Sequence, residues 1–267
     1  MNRLLGFAYI TVKENVRRKS FYGVAIVYFL SLLFARVLTE FSLQDLTKFL
    51  TDFSYSFLTF FLVVSTLFIT TDVMAKDIEK KAIYTIISKG ISRDGYVVGR
   101  AFSFLVFTLI LTAVLGFLFL VSVKGLNVYI PDAYKKEVLL IQGLVVIAVL
   151  WVKLFSLSTV VIFFSSFMST FFLVFLASVV IYLAGSSIEN LYYFITFNEG
   201  KVSPLVAYAV KILFYALPNF STLGVDVILG TEPLKVGRVV LELLKSLTYS
   251  GFLLGLSMLV FRRRELS

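Results

Sequence analysis

The sequence predicts an all-α membrane protein with six transmembrane helices, and three observations support this fold class. Of its 267 residues, 59% are hydrophobic, whereas soluble domains contain about 45–50%. The apolar residues form long continuous runs, unlike the short alternating strands of a membrane β-barrel. Basic residues cluster at 17–19, 76–100 and 262–264, and six spans place all three clusters on one side. We therefore expect one multi-pass domain, residues 1–267, in the inner or plasma membrane with both termini cytoplasmic.

The first element, residues 1–20, is predicted to be an amphipathic helix lying on the membrane surface. Leu5, Ala8, Val12 and Val16 share one apolar stripe, and most charged side chains fall elsewhere. No short apolar core followed by a small-residue cleavage site is present, so no cleavable signal peptide is expected.

The six predicted spans are the apolar runs long enough to cross a hydrocarbon layer of about 30 Å. They cover residues 21–38, 53–71, 96–123, 138–164, 170–188 and 247–261. Residues 39–52 and 124–137 are predicted to be external loops, the second with a turn at Pro131-Asp132. Residues 165–169 are a very short connection.

Residues 189–248 are mixed in character and are predicted to lie on the external side. The apolar segments 204–217 and 236–247 are too short to span a bilayer, so we interpret both as short re-entrant or interfacial helices. The alternative is that 202–217 is a true span and that one of the six predicted spans does not cross the membrane.

A polar loop, residues 75–95, separates the second and third spans. Within it, Ala82, Ile83, Ile86 and Ile87 recur at helical spacing, which predicts a short amphipathic helix. Charged residues surround this helix: Asp77, Glu79, Lys80, Lys81, Lys89 and Arg93. The pattern fits either a solvated loop or a docking element for a soluble partner.

The composition excludes most enzyme chemistry. The chain has no cysteine and no histidine, which removes thiol nucleophiles, histidine bases and the metal sites that use these ligands. It also lacks a glycine-rich phosphate loop followed by Lys-Ser or Lys-Thr. We therefore expect no enzymatic activity, cofactor or metal in this chain. The net charge of +9 is attributed to membrane orientation and lipid headgroups, not to nucleic acid.

Lys153 is the most costly residue of the predicted spans, because a charge in mid-membrane requires a partner or water. One interpretation is functional: Lys153 is a cation that faces either the substrate or the second chain of a dimer. The other is structural: Lys153 lies at an interior cavity. Ser156 follows Lys153 in a Ser/Thr-rich stretch and is a second candidate for the substrate path or dimer interface, although such stretches more often mark helix packing than a transport path.

Several patches together resemble the permease subunits of type-2 ABC (ATP-binding cassette) exporters. They are Asp77-Ile78-Glu79-Lys80-Lys81, the helix at 82–87, the basic turn at 88–93, Gly99-Arg100, Ala216-Leu217-Pro218-Asn219 and Phe261-Arg262-Arg263-Arg264-Glu265-Leu266. The resemblance covers the whole chain in layout. The sequence departs from the family at Lys81-Ala82, where Gly-Thr is common, at Gly90, where proline is common, and at Arg100, where lysine is common.

The resemblance implies that two such chains, as a homodimer or with a sister permease, form the membrane part of an exporter. A separate cytoplasmic ATPase subunit would bind ATP and Mg²⁺ and dock on the helix near 78–89, the coupling helix. Residues 3–19 would be the elbow helix. Two other functions remain open: an ion-coupled secondary transporter, which usually needs a mid-membrane carboxylate and inverted repeats, and a membrane scaffold. The predicted spans show neither such a carboxylate nor a convincing repeat.

Overall fold

A computed structural model describes residues 2–39, 45–79, 82–88, 90–128, 130, 136–197, 202–221 and 223–263. These residues form ten helices and no strand. The helices are α1 (Asn2–Arg17), α2 (Lys19–Thr39), α3 (Leu46–Glu79), α4 (Ala82–Ser88), α5 (Arg93–Asn127), α6 (Leu140–Ser165), α7 (Phe171–Phe197), α8 (Pro204–Ala216), α9 (Val225–Ile228) and α10 (Val236–Arg263).

Five helices are long and apolar enough to cross a membrane: α3, α5, α6, α7 and α10. Helices α1 and α2 form a sixth candidate only if they are counted together as one bent span. Their segments Gly6–Arg17 and Phe21–Ala35 meet at an angle of 48°. The chain is thus a multi-pass helical membrane protein with five candidate spans, or six if the bent pair is one span.

Helix α6 is the centre of the bundle. It packs against α3, α5, α7 and α10, and its residues 152–162 are all buried. In contrast, α7 and α10 leave many large apolar side chains uncovered, among them Leu183, Phe194, Phe252 and Leu259. Apolar side chains on the outside of a helical bundle are suited to contact with lipid.

The bundle has two ends that differ in structure. The first, called the α4 end below, contains α4, the C-termini of α3 and α10, and the N-terminus of α5. The opposite end contains α8, α9 and the loops beside them, and α9 packs there against α3 and α6.

The sequence placed two helix boundaries wrongly. Helix α3 begins at Leu46, so residues 46–52, predicted as loop, are helical. Leu50 is buried with Ala35 and Ile130 in a small second core, and this tertiary contact favours the helix. Residues 236–247 are not a separate short helix but the first part of α10. Val239, Ser246 and Ser250 are all buried, and no proline interrupts the segment.

Helix α8 confirms the prediction of a short helix after the fifth span. Its 13 residues measure about 20 Å, which is less than the hydrocarbon thickness. The chain then returns to α7, where the backbone N–H of Phe220 donates to the carbonyl of Gly185 over 3.1 Å. A Cβ at Gly185 would lie 2.3 Å from the Pro218 carbonyl oxygen. Glycine at this position therefore permits the close approach of residues 218–220. The predicted turn at Pro131-Asp132 lies outside the described residues.

Candidate functional site

The short helix predicted from isoleucine spacing is present as α4. Ile83 is buried in the main core and Ile86 packs partly against it, so these two apolar side chains face the chain's own helices α3 and α5. Thr85 and Ser88 are exposed. Thr85 and Ser88 therefore provide polar side chains on the exposed part of α4, and Ile83 supports the helix from beneath.

The other residues predicted around α4 occupy different environments. Glu79 is exposed at the end of α3, whereas Asp77 is buried. Arg93 donates through Nη1 to the carbonyl oxygen of Arg262 over 2.8 Å, which places a cation at the C-terminus of α10, where the helix dipole favours it. Some predicted positions lie outside the described residues: Lys80, Lys81 and Lys89, and the side chains of Ala82 and Ile87.

A buried ion pair lies near the end of α3 that leads into α4. The carboxylate of Asp77 on α3 pairs with the guanidinium of Arg100 on α5, and their side chains are only 11% and 7% exposed. Tyr96 Oη donates to Asp77 Oδ2 over 2.6 Å. Arg100 Nη1 donates to Thr11 Oγ1 on α1 over 2.8 Å, and its guanidinium carbon lies 4.6 Å from the ring centroid of Phe7. The pair thus ties α1, α3 and α5 together.

Two further groups of contacts tie the neighbouring helices to the α4 end. Arg18, between α1 and α2, pairs with Asp72 on α3, and Lys76 Nζ lies 2.8 Å from the same carboxylate. At the end of α10, Arg262 Nε donates to Asp94 Oδ1 over 2.8 Å. Helix α4 is therefore joined to a framework of α1, α3, α5 and α10 at their ends.

Lys153, near the middle of α6, is buried and paired. Its side chain is 4% exposed, and Nζ lies 2.9 Å from Glu242 Oε2 of α10. It also donates to the backbone carbonyl of Ser221. The pairing carboxylate, Glu242, comes from the segment 236–247, which the sequence predicts to lie outside the six spans and which forms the first part of α10.

The pair belongs to a longer chain of alternating charges. Arg238 Nε donates to Glu242 Oε1 over 3.2 Å, and Arg238 Nη2 donates to Glu189 Oε1 of α7 over 3.3 Å. Glu189 Oε2 accepts from Asn219 Nδ2 over 3.0 Å and from the hydroxyl of Ser221. Lys153, Glu242, Arg238 and Glu189 thus link α6, α10 and α7 to the returning segment 217–221.

Ser156, predicted with Lys153 as a residue of the substrate path or dimer interface, is buried on α6. Its hydroxyl has no hydrogen-bond partner among the described residues. It therefore lies in the helix-packing core of a single chain.

Sequence reasoning missed the partners of Lys153, although two signals pointed to them. A buried lysine requires a counter-ion, and Arg238 and Glu242 are spaced i,i+4, as ion pairs on one helix face are. In the described parts of the chain, no cluster of three or more acidic side chains is placed to hold a metal ion.

The chain was compared with known proteins. No protein-family model matches it, and no curated protein matches it either. A functional interpretation therefore depends on the geometry of the two charged networks and on α4.

Gly185→Ala is expected to displace the returning segment and to lower the free energy of unfolding by about 1–3 kcal/mol. The added methyl group would overlap the Pro218 carbonyl oxygen, and overpacking of this kind usually has that cost. Gly255→Ala on α10 is the matched control, because nothing lies within 4 Å of its added Cβ. Thermal unfolding of both variants in detergent tests this, and equal midpoints would contradict the close packing at Gly185.

Proposed function

We propose that this chain is the membrane-spanning permease subunit of an ATP-driven exporter of the type-2 ABC class. The observation that carries the proposal is α4, a seven-residue helix held between two spans, with Thr85 and Ser88 exposed on its outer face. In this proposal a separate cytoplasmic ATPase, which binds ATP and Mg²⁺, docks on that face, and a dimer of permease chains forms the substrate path.

The ion pair between Asp77 and Arg100, near the end of α3 that leads into α4, supports a coupling role for this part of the structure. Because Asp77 and Arg100 join α3 to α5, and Arg100 reaches Thr11 of α1, a displacement of α4 would move these helices as one body. Rigid-body movement of a packed element is a common way to transmit a switch between two states. Nucleotide binding by the ATPase would supply the bias between those states.

The surface charges support a cytoplasmic position for the α4 end. Lys13, Arg17, Lys76, Arg262 and Arg263 are exposed there, and loops on the cytoplasmic side of membrane proteins are enriched in lysine and arginine. In this proposal both ends of the chain lie in the cytoplasm, and the region of α8 and α9 lies outside.

Ion-coupled secondary transport is the second candidate, and the presence of Glu189 and Glu242 favours it. Both carboxylates, however, accept hydrogen bonds from Lys153, Arg238, Asn219 or Ser221. A coupling cation would have to displace these donors. Transport by reconstituted protein that follows an ion gradient and needs no ATP would favour this candidate over the exporter.

The exporter proposal is tested by isolating the tagged full-length chain from its native membranes in mild detergent. We expect a stoichiometric soluble ATPase with a glycine-rich phosphate loop to co-purify. Thr85→Arg, on the exposed face of α4, is expected to reduce its recovery at least tenfold, because a large charged side chain would occupy the docking surface. Glu232→Arg, exposed at the opposite end of the bundle, is the matched control and should leave the recovery unchanged.

Arg93 is not a suitable residue for this test. Reversing its charge would also break the hydrogen bond to the end of α10, so a loss of docking could result from local unfolding. Recovery of the chain without any ATPase, or equal ATPase recovery with the two variants, would contradict docking at α4.

A further inference from the structure

We infer that a cleft between α7, α8 and α10 binds an amphiphilic anion, that is, a phosphate or carboxylate group attached to a short apolar body. The cleft has a volume of about 220 Å³. Its charged lining comes from Glu189, Arg238, Glu242 and Lys245, and its apolar lining includes Phe214 and Leu241. This inference stands on the cleft alone and does not require the exporter proposal.

The charge balance of the cleft favours an anion. Both carboxylates already accept hydrogen bonds: Glu242 from Lys153 and Arg238, and Glu189 from Asn219, Ser221 and Arg238. The ion-pair partners of these two carboxylates are Lys153, which is not part of the cleft lining, and Arg238. Lys245, the other cation of the lining, is therefore left without a paired carboxylate among the described residues. Within the described residues, no hydrogen bond or ion pair engages the ammonium group of Lys245.

The positions of Arg238 and Lys245 suit a ligand held between them. They are seven residues apart on α10, or about two helical turns and 10 Å, and therefore lie on the same face. Arg238 is 52% exposed and uses Nε and Nη2 for the carboxylates, whereas its Nη1 atom has no acceptor among the described residues. A guanidinium N–H and an ammonium group are thus available to a single anionic group, and such charge-assisted hydrogen bonds are the strong ones.

The walls and the size of the cleft indicate an apolar group next to the anion. Phe214 is stacked on Tyr192 with ring centroids 4.2 Å apart, which fixes one aromatic wall. Pockets for drug-sized ligands have volumes of about 300–1,000 Å³, so this smaller cleft is suited to an anionic head group and a few carbon atoms. Arg238 also lines a second cleft of about 350 Å³.

The test is calorimetric titration of the purified full-length chain, in phosphatidylcholine nanodiscs at low ionic strength, with hexyl phosphate and with hexanol. We expect saturable binding of hexyl phosphate and none of hexanol. Lys245→Gln is expected to weaken hexyl phosphate binding about tenfold, because one charge-assisted contact is lost. Lys211→Gln is the matched control, since Lys211 is exposed on α8 and does not line the cleft. An unchanged thermal midpoint of Lys245→Gln would show that the variant is folded.

No saturable binding, or equal binding to the Lys245→Gln and Lys211→Gln variants, would overturn the inference. A second arm identifies the source of the anion by adding phosphatidylglycerol to the nanodiscs. Competition with hexyl phosphate would assign the site to a lipid head group, and absence of competition would assign it to a free amphiphile. Failure of the ATPase to co-purify leaves these titrations unaffected, so the two proposals fail separately.

Discussion

Arg100→Met is expected to lower the free energy of unfolding by about 3–5 kcal/mol, because it leaves the Asp77 carboxylate buried without its cation. Among the described residues, Asp77 would keep only the hydrogen bond from Tyr96, and α1 would lose the hydrogen bond from Arg100 of α5 to Thr11. Unfolding of the purified chain in detergent, followed by loss of helical circular dichroism, measures this effect.

Tyr96→Phe is the matched control for this prediction. It removes one hydrogen bond to Asp77 and preserves the stacking of ring 96 on Phe261, whose centroids are 5.4 Å apart. Hydrogen bonds to charged groups contribute about 1.5–3 kcal/mol, so this variant should be the less destabilised of the two. Adding Asp77→Asn to Arg100→Met should restore part of the lost stability. If Arg100→Met and Tyr96→Phe cost the same, the ion pair is not what holds α3 to α5.

Glu242→Gln is expected to destabilise the chain by about 3–5 kcal/mol, and more than Lys153→Met does. After Glu242→Gln, the Lys153 ammonium remains buried with only neutral acceptors among the described residues, such as the Ser221 carbonyl oxygen. After Lys153→Met, Glu242 still pairs with Arg238, which is half exposed. The two variants differ because Glu242 pairs with two cations, Lys153 and Arg238. Lys153 has no second carboxylate within ion-pair distance among the described residues.

A double-mutant cycle separates the pair from its surroundings. Lys153→Met and Glu242→Gln together should cost less than the sum of the two single changes, with an interaction free energy of about 0.5–3 kcal/mol. Ser156→Ala, three residues from Lys153 on α6, is the control and should be additive with Glu242→Gln. Additivity of Lys153→Met with Glu242→Gln would show that the two side chains act independently.

Helix α10 takes part in both groups of charged contacts, the one at the α4 end and the one around Lys153. At the α4 end, Asp94 and Arg262 join α5 to α10. In the other half of the bundle, Lys153 and Glu242 join α6 to α10. If α4 transmits movement as proposed, α10 is the element through which it would reach the cleft that contains Arg238 and Lys245.

The membrane class, the positions of most long helices and the existence of α4 could be predicted from the sequence. These features depend on local properties: the length of an apolar run decides whether a helix can cross a bilayer, and the spacing of Ile83 and Ile86 decides the face of a short helix. The sequence also identified Lys153 as a residue that needs a partner.

Only the tertiary structure decided which groups meet. Glu242 is 89 residues from Lys153 and Thr11 is 89 residues from Arg100, and no local pattern encodes such pairings. Charged residues beside an apolar run are typical of the membrane surface, so the sequence predicts a separate external helix at 236–247. The fold places Glu242 of that segment against α6, where it neutralises Lys153, and the physical reason is that a buried charge requires an opposite one.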